Sequence, residues 1–92
     1  MWLLSEDTIQ NQLASMDGWT FEHNAIHKSL EFDSYMAGID FVNELAAIAE
    51  SKNHHPDISV GWCKVEVRFT SHDQGGVTRE CIEMAKAVDT IF

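Results

Sequence analysis

The chain has 92 residues, of which 45% are hydrophobic and 23% charged, and its formal net charge is −9. This size and composition predict one globular domain over residues 1–92, with a single core. The acidic balance argues against direct binding of nucleic acid, which needs clustered basic residues, and against binding to anionic membranes.

The apolar stretches and the cysteines both favour a cytoplasmic protein. The apolar start, residues 1–4, is short and turns acidic, unlike a signal peptide, and no stretch approaches the ~20 apolar residues of a membrane-spanning helix. Cys63 and Cys81 both lie in apolar patterns, so we expect two reduced core thiols rather than a disulfide framework.

The first element in chain order is a short helix. Ser5 is a candidate N-cap, and Gly18 is expected to end the helix. The apolar stripe consists of Ile9, Leu13 and Met16.

Residues 19–32 then predict a β-hairpin. Its polar turn is expected at residues 22–24, Glu-His-Asn. Lys28 interrupts the apolar alternation of the second strand.

The longest element is a helix of roughly 18 residues that Ser34 can cap. It should end near Asn53, because Pro56 disfavours a helical conformation for the residue before it. The predicted apolar stripe consists of Tyr35, Ile39, Val42, Leu45 or Ala46, and Ala49, widened by Gly38, Phe41 and Ile48.

Two strands and a final helix follow. Residues 57–60 predict a short strand with a bulge or kink at Gly61, and residues 62–71 alternate as a second strand. A last helix should open at Val77 or Thr78. The expected core positions are Cys63, Val65, Val67 and Phe69 in the strand, and Cys81, Met84, Ala85 and Val88 in the helix.

The predicted order of elements is therefore α-β-β-α-β-β-α. Four mostly antiparallel strands with helices packed on one face form the two layers of an α+β domain.

Three histidines lie at the predicted edges of these elements. His54 and His55 precede Pro56 just after the long helix, and His72 follows the last strand. The helix dipole should favour protonated imidazole at this end, and Glu50, one turn before His54, could accept its hydrogen bond and select its tautomer.

Three interpretations of these histidines compete. Single histidines are most often solvated surface residues, and we read His23 and His27 in that way. A metal site is less favoured, since no H-x-H, H-x3-H or HExxH spacing is present. General acid and base catalysis fits a set of three imidazoles with a carboxylate, and Trp62 could stack on a flat ring nearby.

The motif that these residues form resembles the pterin-4a-carbinolamine dehydratase family. It consists of Glu50, three residues, the segment 54–56, five residues, Trp62, nine residues and the pair 72–73, His-Asp. The similarity extends over residues 17–92, with Phe-Asp-Ser-Tyr at 32–35 and Gly-Val-Thr at 76–78 around the motif.

The resemblance implies the fold above and the dehydration of a 4a-hydroxytetrahydropterin, which resupplies aromatic amino acid hydroxylases with cofactor. It implies no metal or organic cofactor, and it implies a homodimer or homotetramer, with Trp62 and Phe92 as candidate interface residues. The implied catalytic residues are His54, His55 and His72, without a division into acid and base. The implied substrate-binding residues are Glu50, Pro56, Trp62 and Asp73.

The chain departs from the family pattern at two places. Ile58 stands where many members have an aromatic residue, and Glu80-Cys81 replaces an Arg-Asp pair at the start of the last helix. The candidates to replace the missing carboxylate are Asp73, Asp57 and Glu80, and Cys81 is interpreted as a core residue.

A partner-binding role, as in relatives that act as dimerisation cofactors or assembly factors, is the alternative function.

Overall fold

The computed structural model describes residues 2–92, which form three helices and four strands. The elements are α1 Glu6–Leu13, β1 Thr20–Glu22, β2 Ala25–Glu31, α2 Tyr35–Lys52, β3 Asp57–Gly61, β4 Lys64–Phe69 and α3 Arg79–Ile91. This order confirms the predicted α+β class and the sequence α-β-β-α-β-β-α.

The strands form one antiparallel sheet in the order β1-β2-β4-β3. Asp57 pairs with Arg68 at one end of the β3–β4 hairpin, and Gly61 pairs with Lys64 at the other. The chain therefore enters β3 and leaves β4 at the same end of the sheet, so residues 53–56 come next to residues 70–73.

One face of the sheet carries the core. Ile26 pairs with Phe69, and Leu30 with Val65, all of them almost fully buried. The helices contribute Ile9, Leu13, Phe41, Leu45, Ala49, Cys81, Ile82, Met84, Ala85 and Val88 to the same cluster. The helix face of β2 and β4 is thus largely removed from water and their opposite face stays polar, whereas Val60 on the edge strand β3 is 42% exposed.

Lys28 points to the helix side although it is charged. Its side chain is 14% exposed, and its ammonium lies 2.8 Å from a carboxylate oxygen of Asp89 on α3. The aliphatic stem is covered while the charge is neutralised, so the interruption of the apolar pattern is accommodated within the strand.

The first hairpin turn confirms the prediction at residues 22–24. His23 and Asn24 have φ values of 51° and 60°, and Glu22 pairs with Ala25 across them. A two-residue turn with two positive φ angles matches the twist of the strands that it joins.

The second hairpin differs from its prediction. The register runs without a bulge through Gly61, and Trp62 and Cys63 form the turn, with Cys63 at φ 58°. Cys63 is only half-buried, so its expected core position was wrong. The apolar alternation extends into the turn, but the ladder cannot, because a two-residue connection uses both residues to reverse the chain.

Two helix predictions also need correction. The α1 helix ends at Leu13 rather than at Gly18, whose φ of 82° redirects the chain into β1. In α2 the buried stripe is Gly38, Phe41, Leu45 and Ala49, whereas Tyr35 is 47% exposed. Gly38 belongs to the stripe because a Cβ there would lie 3.3 Å from Val65, so the helix approaches the sheet closely at this residue.

In the described part of the chain no helix is both long and apolar enough to cross a membrane.

Candidate active site

The end of α2 places the adjacent histidines. Asn53 caps the helix in a left-handed conformation, with φ 52°, and donates its N–H to the carbonyls of Ala49 and Glu50. His54 also donates its N–H to the carbonyl of Ala49, at 3.1 Å. Asparagine tolerates this conformation, so the chain leaves the helix sharply and enters β3 through Pro56.

The loop after β4 places the third histidine. The N–H of Ser71 donates to Gly76 at 2.7 Å, and the N–H of Gly75 donates to Ser71 at 2.8 Å. Thr70 donates its hydroxyl to the carbonyl of Asn24 at 2.8 Å. These bonds hold a compact turn whose exposed outer residues include His72.

The two segments enclose an open cleft of about 200 Å³. Its lining is polar and is formed by Asn53, His54, His55, Thr70, Ser71, His72 and Asp73. The three histidines that the motif singled out therefore lie around one cavity, together with Asp73.

His55 is oriented by Glu50. Its Nε2 lies 2.6 Å from Oε1 of Glu50, although both side chains are more than half exposed. The predicted partner of Glu50 was His54. That prediction was wrong, since the ring of His54 contacts Phe69 and Cys81 instead. An ionised carboxylate only accepts hydrogen bonds, so Nε2 of His55 donates and Nδ1 of the neutral ring carries a lone pair.

His54 is the more enclosed of the two. Its ring stacks on Phe69 at 6.1 Å with an interplanar angle of 12°, and its Nε2 lies 3.2 Å from Sγ of Cys81. Burial lowers the pKa of His54 below 6.5, and His72 and His55 lower it further, while Glu80 acts in the opposite direction. Burial therefore favours the neutral ring, in contrast to the protonated imidazole that was predicted for the end of the helix.

The remaining predicted site residues lie outside the cleft lining. Trp62 is 82% exposed in the β3–β4 turn, at the end of the hairpin opposite to the histidines, so its expected position near them was wrong. Glu50 and Pro56 adjoin the histidines in the chain, and Glu50 reaches the site through His55.

Four residues at the site were not predicted to belong to it: Asn53, Thr70, Ser71 and Cys81. Thr70 and Ser71 could have been found from the strand pattern, since they lie beside His72 after the last buried residue of β4. Cys81 was interpreted as a core residue from its helical spacing, and the only signal for the site was that it stands where many family members have an aspartate. Within residues 2–92 no group of three His, Cys, Asp or Glu side chains is arranged to hold a metal ion.

A family model and similar proteins of other organisms all point to one family. The family model described as pterin 4 alpha carbinolamine dehydratase matches residues 3–91. A Sulfurisphaera tokodaii protein, provisionally named a pterin-4-alpha-carbinolamine dehydratase, is 39% identical over 89 residues, which cover 97% of this chain and 96% of the relative. A Mycobacteroides abscessus protein with the same provisional name is 39% identical over 90 residues, covering 98% and 96% of the two chains.

Solved structures agree on the fold. A transcriptional coactivator/pterin dehydratase from Brucella melitensis superposes with a TM-score of 0.94 at 29% identity, over 98% of both chains. A pterin dehydratase-like protein identified as a RuBisCO assembly factor in the alpha-carboxysome has a TM-score of 0.66 at 23% identity, over 79% of this chain and 84% of the other. At that identity the second likeness shows the fold alone.

Proposed function

Because this chain belongs to the pterin-4a-carbinolamine dehydratase family, we propose that it removes water from a 4a-hydroxytetrahydropterin to give the quinonoid dihydropterin. This reaction would return cofactor to an aromatic amino acid hydroxylase. The observation that carries the proposal is the placement of His54, His55 and His72 around one polar cleft.

The dehydration requires two proton transfers and no redox change. A base takes a proton from a ring nitrogen, an acid protonates the 4a-hydroxyl, and the C–O bond breaks to release water. Imidazoles suit both steps because their pKa lies near neutral pH. His55 is the proposed base, since Glu50 engages its Nε2 and leaves the Nδ1 lone pair for the substrate.

The other two imidazoles are the candidate acids. His54 lies against Phe69, and His72 is on the exposed loop across the cleft. Asn53, Thr70, Ser71 and Asp73 supply amide, hydroxyl and carboxylate groups that can bind the polar edge of a pterin ring.

The proposal is tested by following the formation of quinonoid dihydropterin from 4a-hydroxytetrahydropterin by absorbance. We expect His55→Ala to lower the rate by about 10²–10⁴-fold, and His54→Ala and His72→Ala to lower it as well. His23→Ala is the matched control, because His23 is an exposed histidine of the first hairpin turn. A wild-type protein no faster than the uncatalysed reaction would refute the proposal.

A partner-binding role is the second candidate, and it depends on the opposite end of the molecule. Phe92 packs on Phe32 at 5.3 Å, and the N–H of Phe32 donates to the carbonyl of Cys63 at 2.9 Å. This end exposes large apolar side chains, which we call the aromatic end: Tyr35, Met36, Val60, Trp62 and Phe92. Such a patch is typical of an interaction surface. An inactive protein whose aromatic end binds another protein would favour this role.

A further inference from the structure

Cys81 contacts the site although it lies in the core. Its side chain is fully buried, and Sγ lies 3.2 Å from Nε2 of His54 and 3.6 Å from Oγ1 of Thr78. Thr78 is the N-cap of α3, yet its hydroxyl makes no capping bond to the helix backbone. The hydroxyl is directed at the sulfur instead, so the buried Thr78 and Cys81 and the partly buried His54 form one hydrogen-bonded chain.

The burial of Thr78 constrains the direction of these hydrogen bonds. Thr78 is 1% exposed, and within residues 2–92 its hydroxyl has no hydrogen-bond partner other than Cys81. A buried hydroxyl without an acceptor is costly, so Thr78 donates to the sulfur. The thiol has one hydrogen to donate. An unprotonated imidazole nitrogen of His54 is a better acceptor for it than the hydroxyl oxygen of Thr78, which is already donating to the sulfur.

We propose that Cys81 is a positioning residue for His54, and that the chain Thr78 O–H to Cys81 S–H to His54 Nε2 holds the neutral imidazole in its Nδ1–H tautomer. The stacking of the ring on Phe69 fixes its plane, and the sulfur fixes its rotation within that plane. The thiol thereby takes the orienting role that Glu50 was expected to play for this histidine.

The tautomer has a consequence for the dehydration, which rests on the function proposed above. With Nε2 occupied by the thiol, Nδ1–H is the group of His54 that can donate a hydrogen bond to the 4a-hydroxyl, and within residues 2–92 Nδ1 makes no hydrogen bond. His55 has the complementary arrangement, with Nε2–H on Glu50 and a lone pair on Nδ1. The structure thus assigns the base to His55 and a hydrogen bond to the departing hydroxyl to the neutral His54, which leaves His72 as the candidate acid.

The tautomer is measured directly by long-range ¹H–¹⁵N correlation spectra of histidine-labelled protein above pH 7. We expect the wild type to show a pyrrole-like Nδ1 and a pyridine-like Nε2 at His54. Cys81→Ser keeps a donor and should keep this pattern, whereas Cys81→Ala removes it and should shift His54 towards the Nε2–H form. Cys63→Ser is the control, since that thiol lies in the β3–β4 turn and should leave His54 unchanged.

The outcomes separate this inference from the function. A wild-type His54 protonated at Nε2, or an Nδ1–H pattern that survives in Cys81→Ala, overturns the positioning role. If Cys81→Ala does not fold, the wild-type and Cys81→Ser spectra still decide. In the dehydration assay we expect Cys81→Ala to lower kcat by about 10–100-fold with little change in KM, and Cys81→Ser to restore it. Spectra as expected with no dehydration by the wild type would refute the function and leave the tautomer assignment standing.

Discussion

The buried histidine of the cleft links the site to the stability of the protein. Burial lowers the pKa of His54 below its unfolded value of 6.5, so the unfolded chain binds this proton more readily than the folded protein does. The free energy of unfolding should therefore fall as the pH is lowered through about 6.5 towards the folded pKa, with no contribution from His54 above that range.

This expectation is checked by urea unfolding at about pH 7.5 and pH 5.5. His54→Gln should reduce the loss of stability between the two values, whereas His23→Gln, which changes an exposed turn residue, should leave it as in the wild type. Equal pH dependence in wild type and His54→Gln would contradict the lowered pKa.

The Glu50–His55 pair should matter for catalysis and not for folding. Both side chains are more than half exposed, so the hydrogen bond between them contributes little to stability. We expect Glu50→Gln to lower the dehydration rate by about tenfold or more, because His55 loses the carboxylate that holds its Nε2. The free energy of unfolding should change by about 0.5 kcal/mol or less. A large loss of stability with an unchanged rate would show that the pair is structural.

At the scale of secondary-structure elements, Asp89 connects α3 to two parts of the sheet layer. Its carboxylate accepts from Lys28 at 2.8 Å and from the indole of Trp19 at 3.0 Å. Trp19 is 5% exposed, so a lost acceptor would leave its N–H with little access to water. We expect Asp89→Ala to lower the free energy of unfolding by about 1–3 kcal/mol in urea titrations.

The matched control for this prediction lies on the same helix. Glu83 forms an exposed pair with Arg79 at 3.6 Å, and Glu83→Ala should change the stability by about 0.5 kcal/mol or less. If the two variants lose a similar free energy of unfolding, the Asp89 contacts stabilise the protein no more than an exposed ion pair does.

At the scale of the whole molecule, the histidine cleft and the aromatic end lie at opposite ends of the β3–β4 hairpin. Trp62 is 82% and Phe92 56% exposed, and we propose that they lie in the interface of a homodimer or homotetramer. Sedimentation should give a mass above the 10.4 kDa of one chain. Trp62→Ser should shift the protein towards monomer.

Trp2→Ser is the control for this prediction, because Trp2 is equally exposed and its neighbour Leu3 pairs with Thr78, away from the aromatic end. A wild-type protein that sediments as a monomer, or equal masses for the two variants, would rule out this interface.

The sequence by itself determined the class of fold, the order of elements and the three histidines. Helix and strand periodicity are local properties, and caps such as Ser34 mark an element from adjacent residues alone. The family resemblance rests on a spacing that can be read along the chain, and the family match over residues 3–91 confirms it.

Only the tertiary structure decided which side chains meet. The register of β3 on β4 places Trp62 at the end of the hairpin that is far from His54. Past the αL cap at Asn53, it is His55 that contacts Glu50. The sulfur of Cys81 meets His54 across 27 positions of the chain. Contacts of this kind depend on how helices rotate and pack on the sheet, and a periodic apolar pattern defines a buried face without defining the neighbours of each residue on it.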